Sequence, residues 1–169
     1  MFEKFYPDSW ENSSYEVDYQ ALYQDGYRGI IFDVDNTLVP HGAPADERAI
    51  RLIDSLHQMG FSVMLLSNNK EPRVSSFAEQ VRYAGYIFKA NKPSTEGYLS
   101  AMKQMGTDLT NTVFIGDQLF TDVWGAKNTG LRNILVKPID SHEEIQIVFK
   151  RCLEKIVLWS YKRKTKSGK

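Results

Sequence analysis

The sequence has one cysteine, no long apolar run and no recognisable leader, and each shortage excludes a class of protein. Cys152 is the single cysteine among 169 residues, so an internal disulfide is excluded and a reducing compartment is expected. No apolar run approaches the length of a membrane span, and the N-terminus lacks the pattern of a signal peptide. We therefore expect a cytoplasmic protein, with attachment to the inner face of a membrane left open.

Two phosphate-binding motifs are also absent. No glycine-rich turn follows the first predicted strand, and no phosphate loop ending in Lys-Ser or Lys-Thr occurs. The sequence therefore lacks the signatures of dinucleotide-binding proteins and of P-loop nucleotide hydrolases. No motif that reads a nucleic-acid groove is present either, so we expect no nucleic-acid partner.

Net charge is lacking too, although the charges are unevenly distributed. The 21 Lys and Arg residues balance 21 Asp and Glu residues. Residues 161–169 hold five Lys or Arg residues and no acid, which leaves 16 basic against 21 acidic residues elsewhere. We expect this basic tail to be solvated and disordered. Attraction to an anionic membrane surface is the alternative.

Composition and length predict one globular domain preceded by an arm. Apolar residues make up 42% of the chain and charged residues 25%, which is typical of a globular protein with one core. Residues 1–28 are rich in aromatic side chains, and we expect this arm to pack on the domain. An interfacial surface would also suit Tyr and Trp. The domain is assigned to residues 29–160 and the tail to residues 161–169.

Apolar segments alternate with helical patterns from residue 29 onward. A short helix is predicted in the arm near residues 18–24. The predicted strands are at 29–32, 62–68, 86–88, 112–117 and 133–136, and the predicted helices at 46–59, 71–84, 95–105, 121–128 and 142–160. This alternation predicts an α/β fold with a parallel sheet and helices on both faces.

The last predicted helix has an apolar stripe formed by Ile145, Phe149, Cys152 and Ile156. We favour packing of this stripe on the sheet. In the alternative, basic residues beside the stripe and Trp159 at its end place an amphipathic helix in a membrane interface.

Two acids follow the first predicted strand. Asp33 and Asp35 stand at its carboxyl end, where open parallel sheets bind ligands, and side chains two residues apart in an extended chain point the same way. Two carboxylates this close need a cation or a shared proton, and Mg²⁺ is the simplest cation for oxygen ligands. A turn or a helix cap is the alternative for such a pair.

Polar residues at other strand ends extend this candidate site. Ser67 ends the second strand, Lys92 follows the third, and Asp117 and Asp122 end or follow the fourth. The carboxylates could hold a divalent cation, Lys92 could neutralise a phosphate, and Ser67 could donate to phosphoryl oxygens. These groups indicate phosphoryl transfer, in which positioning and charge neutralisation dominate.

The same motifs resemble those of the haloacid dehalogenase (HAD) superfamily of phosphatases. The matching segments, in order, are DVDNT at 33–37, LSN at 66–68, KP at 92–93 and GDQLFTD at 116–122. The resemblance implies a Rossmann-like fold of five parallel strands in the order 3-2-1-4-5. It also implies a Mg²⁺-dependent phosphomonoester hydrolase, since a dehalogenase would not need the second acid at Asp35.

The resemblance assigns roles to the acids. Asp33 would be the nucleophile that forms an aspartyl-phosphate, and Asp35 would protonate the leaving oxygen and then activate water. Mg²⁺ would be held by Asp33, by the backbone carbonyl of Asp35 and by Asp117. Asp122 would orient Lys92 or a metal-bound water, with a helix cap as its alternative.

The resemblance also assigns the phosphate site. Ser67 and Asn68 would hold the phosphoryl group, and Lys92 would bind it as well as take part in catalysis. Thr37 would support the phosphate loop, or else satisfy a turn.

The spacing between the motifs leaves no room for a cap domain. Residues 38–61 and 69–91 hold one helix each, so the site is expected to be open unless the substrate or a second subunit of a homo-oligomer covers it. Segments 5–8, 35–39, 116–122 and 134–139 resemble the YqeG-type, class IIIA branch, which includes phosphatidylglycerophosphate phosphatases.

Three functions stay open at this stage. The first is a phosphatase that acts on phosphatidylglycerophosphate and contacts a membrane peripherally. The second is a phosphatase of small soluble esters such as sugar phosphates or nucleotides. The third is a regulatory binding protein on a HAD scaffold, which the intact set of acids argues against.

Overall fold

The computed structural model describes residues 2–140 and 145–166. In this part of the chain the strands are β1 (Ser9–Glu11), β2 (Gly29–Phe32), β3 (Ser62–Leu66), β4 (Ala84–Ile87), β5 (Thr112–Gly116) and β6 (Arg132–Val136). The helices are α1 (Tyr19–Gln24), α2 (Glu47–Met59), α3 (Glu71–Val81), α4 (Glu96–Met105), α5 (Trp124–Thr129) and α6 (Ile145–Lys166). A π-helical turn at Leu119–Val123 leads directly into α5.

The strands form one parallel sheet in the order β1-β6-β5-β2-β3-β4. The predicted α/β class is therefore confirmed. The order β4-β3-β2-β5-β6 within it is the 3-2-1-4-5 order that the family resemblance implies. The predicted number of five strands was wrong, because β1 adds a sixth at the edge beside β6.

β1 belongs to the arm, in which the sequence predicted no strand. It pairs with β6 by placing Trp10 opposite Leu135. Just before it, the Asp8 carboxylate accepts hydrogen bonds from the backbone and side-chain amides of Asn133, at 2.9 and 2.8 Å. Asp8 and Asn133 lie 125 positions apart, so no local pattern signals this pairing.

The sheet is covered on both faces, as β2 illustrates. Ile30 and Phe32 pack in the core formed with α2 and α3, while Ile31 packs on the opposite side with Tyr98 of α4 and Ala126 of α5. These side chains are fully buried. Alternating sides of an extended strand explain why the whole of β2 is apolar.

Local signals explain why α2 begins and ends where it does. The Asp46 carboxylate accepts a hydrogen bond from the amide of Ala49 at 2.9 Å, which caps the first turn. The helix ends at Gly60, whose φ of 96° lies in the left-handed region that favours glycine. Ala49, Ile53 and Leu56 form the buried face between these ends.

α6 is longer than predicted. It continues to Lys166, past the expected domain boundary at residue 160, so residues 161–166 are helical and the expectation of a disordered tail was wrong for them. Residues 167–169 lie outside the described part of the chain. Across residues 2–140 and 145–166, no helix is both long enough and apolar enough to cross a bilayer.

The predicted packing face of α6 was also wrong. Cys152 and Ile156 of the stripe are exposed, whereas Val157 on the other side of the helix is buried. The side chains of the other two stripe residues, Ile145 and Phe149, lie outside the described part of the structure. An apolar pattern that repeats around a helix does not identify which side meets the sheet.

The aromatic arm contacts the loop that follows β2. The Ser14 hydroxyl, fully buried, donates to the backbone carbonyl of Thr37 at 2.6 Å, and the Tyr15 hydroxyl donates to the carbonyl of Leu38. The Tyr19 hydroxyl in turn donates to the carbonyl of Ser14 at 2.5 Å. The arm therefore supplies hydrogen bonds to the loop that carries the two acids.

Candidate active site

The loop after β2 makes a tight turn within a few residues. The backbone amide of Asp33 still donates to the carbonyl of Ile115 in β5, at 2.9 Å. Asn36 then adopts a left-handed backbone with φ of 65°, and the amide of Leu38 bonds back to the carbonyl of Val34 at 3.0 Å. This turn keeps both acids at the carboxyl edge of the sheet.

A cavity of about 260 Å³ opens at this edge. The predicted site residues that line it are Asp33, Asp35, Ser67, Asn68 and Lys92. The other predicted residues, Thr37, Asp117 and Asp122, are buried beside them and make the contacts given below. The structure therefore brings together side chains that follow four different strands. The further lining residues are Asn36, His41, Asn69, Gln118 and Thr121.

Lys92 is a buried cation between two acids. Its Nζ lies 2.7 Å from Asp33 Oδ1 and 2.6 Å from Asp122 Oδ1. Burial alone would lower the pKa of Lys92, but the carboxylates of Asp122 and Asp33 together raise it above its ordinary value. Lys92 therefore carries a positive charge in the site.

Asn68 holds the backbone of Lys92. The Lys92 amide donates to Asn68 Oδ1 at 2.7 Å, and Asn68 Nδ2 donates to the Lys92 carbonyl at 3.2 Å. Beside it, the Ser67 hydroxyl accepts from the amide of Asn69 at 3.1 Å. Asn68 thus positions Lys92, and its expected contact with a phosphoryl group stays a prediction.

Asp122 connects Lys92 to the loop after β5. Its Oδ2 accepts hydrogen bonds from the backbone amides of Asp117 and Gln118, at 3.1 and 3.0 Å. A Cβ at Gly116 would lie 2.5 Å from this Oδ2, so a side chain there would displace the carboxylate. Asp122 therefore contacts Lys92 through one carboxylate oxygen and the loop after β5 through the other.

Three of these acids could hold a metal ion. Asp33, Asp117 and Asp122 each place one carboxylate oxygen within 4.8 Å of the others, and all three residues are buried. The Thr37 hydroxyl lies 3.2 Å from Asp117 Oδ1 and 3.4 Å from Asp33 Oδ2, and it can donate to one of them at a time. Clustered carboxylate oxygens are the ligands that hard divalent cations prefer.

Electrostatics within this cluster favour a bound cation. Burial, opposed by Lys92, raises the pKa of Asp33 to about 7. Burial and the nearby carboxylates raise the pKa of Asp117 well above its ordinary value. A divalent cation would offset this repulsion, so the residues present fit a metal. The carboxylate of Asp35 is not part of the cluster, and the expected ligation by its backbone carbonyl stays a prediction.

Asp35 has different partners, which the sequence did not indicate. Its Oδ1 accepts from the Gly42 amide at 2.8 Å and from Arg73 at 2.9 Å, and its Oδ2 accepts from Asn69 at 2.8 Å. Burial would raise the pKa of Asp35, but the Gly42 amide, the Arg73 guanidinium and Asn69 hold it below its ordinary value. Asp35 is therefore stabilised as a carboxylate.

Arg151 of α6 reaches the site from outside the sheet. Its guanidinium donates to the carbonyl oxygen of Asp117 at 2.7 Å and also to the Asp117 carboxylate. It pairs with Glu154 at 3.0 Å, and Glu154 accepts from the backbone amide of Leu119 at 2.9 Å. α6 is thereby connected to an acid of the metal cluster.

Sequence reasoning therefore missed several residues of the site. Asn69 could have been found, because it extends the polar end of β3 by one residue. Arg73 and Arg151 had no signal, since each is one basic residue on a helix and its acid partner lies 38 or 34 positions away. His41, an exposed residue of the loop after β2, also lines the cavity.

Comparison with known proteins identifies relatives of this chain. The family model of HAD-hydrolase-like proteins matches residues 89–144. The chain is 36% identical over 166 residues to a protein of Bacillus subtilis named probable phosphatase YqeG, with 97% of this chain and 96% of the relative covered.

More distant similarities extend this result. The chain is 24% identical over 165 residues to phosphatidylglycerophosphate phosphatase 1 of Arabidopsis thaliana, covering 88% of this chain and 45% of that protein, so it spans less than half of that relative. The cobalt-bound form of the deoxy-D-mannose-octulosonate 8-phosphate phosphatase YrbI from Haemophilus influenzae matches with a TM-score of 0.56 at 15% identity. That match covers 81% of this chain and 87% of YrbI, and it shows a shared fold.

Proposed function

The chain belongs to the YqeG-type branch of the HAD phosphatases, and from this premise we propose that it is a Mg²⁺-dependent phosphomonoester hydrolase that works through an aspartyl-phosphate at Asp33. One observation carries the proposal. Asp33 is the residue that both lines the cavity and belongs to the buried acid cluster, and it is paired with Lys92. A nucleophile needs this combination of access to substrate and a charge-compensated surrounding.

In the first half-reaction, a carboxylate oxygen of Asp33 forms a bond to phosphorus while the bond from phosphorus to the ester oxygen breaks. Asp35 gives a proton to the departing alkoxide. In the second half-reaction, water bonds to phosphorus, the bond between phosphorus and Asp33 breaks, and Asp35 takes a proton from the water. Inorganic phosphate and the free alcohol are the products.

The other groups of the site would neutralise negative charge and orient the phosphoryl group. Lys92 would reduce the negative charge that builds up between Asp33 and the phosphoryl oxygens, and Asp122 would keep its ammonium in place. Ser67 and Asn68 would donate to the phosphoryl group from the adjacent strand end. Mg²⁺, held by Asp33, Asp117 and either Asp122 or the backbone carbonyl of Asp35, would supply positive charge to the phosphoryl oxygens.

The substrate is proposed to be a phospholipid monoester of the phosphatidylglycerophosphate type. The Arabidopsis relative is named for that substrate, and α2 and α3 follow their strands with no inserted cap domain that would enclose a small ester. A soluble sugar phosphate or nucleotide is the second candidate, because the cavity of about 260 Å³ accepts a phosphate with a small alcohol.

A substrate panel tests the reaction and the substrate class together. Purified protein with Mg²⁺ is assayed for phosphate release from phosphatidylglycerophosphate in mixed micelles, from sugar phosphates and from nucleotides. The highest kcat/KM is expected for the lipid. A higher value for a soluble ester supports the second candidate, and no release from any ester indicates a binding protein instead.

Metal removal tests the cofactor. EDTA should abolish turnover of a soluble ester and added Mg²⁺ should restore it, whereas Ca²⁺ should inhibit because its looser coordination shell misplaces the nucleophile. Asp117→Ala removes one ligand and one charge, so the Mg²⁺ concentration for half-maximal activity should rise at least about tenfold. Asp25→Ala, at an exposed acid, is the matched control. Full activity after exhaustive chelation would exclude a metal mechanism.

A further inference from the structure

The outward face of α6 carries apolar side chains that nothing in the described structure covers. Ile156 is 55% exposed, Trp159 is 60% exposed and Leu153 is 43% exposed. Cys152, one turn before Ile156, is exposed as well. A neighbouring side of the helix, which carries the buried Glu154 and Val157, packs against the domain. We call the group of Cys152, Leu153, Ile156 and Trp159 the α6 face.

Basic residues border the α6 face. Lys155, Lys162, Arg163 and Lys164 are all exposed. The Arg163 guanidinium lies 4.6 Å from the Trp159 ring centroid, which places a cation beside the most exposed aromatic side chain. Among residues 151–165, where the structure describes exposure, the one acid is Glu154, and it is buried under the helix. Glu3 of the arm, also exposed, pairs with Lys164. The surface is therefore apolar at its centre and carries more basic than acidic side chains at its borders.

We propose that the α6 face is a docking surface for an anionic lipid bilayer. An amphipathic helix with Trp on its apolar side and Lys and Arg on its borders lies stably in the interface of such a membrane. Basic residues near an anionic surface add electrostatic attraction, and the apolar side chains add burial of apolar surface. The charge of this surface thus matches that of the bilayer.

A second copy of the chain is a poorer match. In a two-fold symmetric dimer the same patch meets itself, so the basic borders of one α6 face would meet those of the other, and the exposed Glu3 beside them is already paired with Lys164. Repulsion between like charges opposes that arrangement. A bilayer of anionic lipids has no such conflict.

The position of α6 connects this surface to the site. Arg151, one residue before the α6 face begins, contacts the Asp117 carboxylate of the acid cluster. The start of the α6 face is therefore close to the acid cluster, while its end, near Trp159 and Lys164, lies beside the arm. Docking does not depend on the proposed function, although it would present a lipid phosphate to that site.

Vesicle sedimentation with the full chain tests the proposal. Binding is expected to vesicles of phosphatidylglycerol and not to vesicles of phosphatidylcholine, with release at high salt because screening shortens the reach of the charges. Ile156→Glu should weaken binding about tenfold or more. Leu99→Glu on α4 is the matched control, since Leu99 is 50% exposed and the charge change is the same. Equal weakening by the two variants, or no binding of the native chain, would overturn the proposal.

Labelling of Cys152 tests which surface meets the lipid. A polarity-sensitive fluorophore on this single cysteine should shift its emission to the blue when phosphatidylglycerol vesicles are added. In the control, Cys152→Ser combined with Leu99→Cys carries the label on α4 and should show no shift. A blue shift that grows with protein concentration and needs no lipid would mean that the face binds a second copy, and this result would refute the membrane proposal.

Phosphatase assays beside vesicle binding distinguish the docking proposal from the proposed phosphatase function. Ile156→Glu should hydrolyse a soluble ester at the native rate, because Ile156 is exposed and does not line the active-site cavity. Asp33→Asn should still bind the vesicles. Vesicle binding without any phosphatase activity would contradict the proposed function alone, and phosphatase activity without vesicle binding would contradict the docking surface alone.

Discussion

Asp33 and Asp35 lie two residues apart on one loop, yet their surroundings shift their pKa values in opposite directions. Asp33 stands among buried acids with Lys92 as its cation, and burial raises the pKa of Asp33 to about 7. Asp35 is surrounded by donors from Gly42, Asn69 and Arg73, which hold its pKa below the ordinary value despite burial. The pocket of Asp33 holds more negative charge than Lys92 alone offsets, whereas the carboxylate of Asp35 is matched by its donors.

This difference in surroundings indicates which catalytic role each acid can take. A nucleophile beside a metal cluster fits the pocket of Asp33. The acid at Asp35 must carry a proton in the first half-reaction, and each of its three donors favours the carboxylate instead. We therefore expect the contacts of Asp35, among them the ion pair with Arg73, to loosen when it acts as an acid.

Removing the Asp33 carboxylate should have the largest effect. Asp33→Asn keeps the shape of the side chain but replaces the nucleophile by an amide, so kcat for any ester should fall by at least about 10⁴-fold. The measurement is phosphate release under saturating Mg²⁺, with Asp25→Asn as the control. Near-native kcat would exclude the aspartyl-phosphate route.

The same variant should gain stability when metal is absent. Asp33→Asn removes one of three clustered buried charges, so its unfolding temperature in EDTA should exceed that of the native chain. Mg²⁺ should raise the unfolding temperature of the native chain more than that of the variant. An equal response to Mg²⁺ would show that Asp33 does not ligate the metal.

Removing the Asp35 carboxylate should have a smaller effect that depends on the leaving group. Asp35→Asn should lower kcat/KM for an alkyl phosphate by about 10² to 10⁴-fold, the usual contribution of a general acid. The loss of kcat/KM should be much smaller for p-nitrophenyl phosphate, because p-nitrophenolate leaves without a proton. Equal losses for both esters would contradict the role of Asp35 as an acid.

The smallest effect is expected when the pocket of Asp35 is altered without touching Asp35. Arg73→Gln removes a cation that lowers the pKa of Asp35, so this pKa rises and the pH optimum of kcat/KM moves to higher pH. The rate at the optimum should change only about a few-fold. Arg51→Gln on α2 is the control, since its ion pair with Glu47 is exposed. An unmoved pH profile would show that Arg73 does not act on Asp35.

Stability provides a second readout for Arg73. Because the folded pKa of Asp35 is lowered, its stabilisation is present above the ordinary pKa of 3.8 and is lost as the pH falls below that value. The native chain should therefore unfold at a higher temperature than Arg73→Gln at neutral pH. The difference should shrink as the pH is lowered below 3.8 and Asp35 takes up a proton.

Most of the fold was predictable because its signals are local. Apolar runs, helix caps and left-handed glycines occur within a few residues of the elements they specify, as Asp46 and Gly60 do for α2. β1 escaped prediction because it depends on the distant Asn133. The buried side of α6 escaped prediction because apolar residues occur on both sides of that helix, and packing alone decides which side is covered.

The sequence by itself determined which acids and which lysine meet. Asp33, Lys92 and Asp117 follow the ends of parallel strands, and parallel topology brings strand ends to one edge whatever the details of packing. The tertiary structure decided what each acid is paired with. Arg73 and Arg151 approach Asp35 and Asp117 from helices, and because charges interact through space, the distance that packing sets determines which carboxylate is stabilised and which requires a cation.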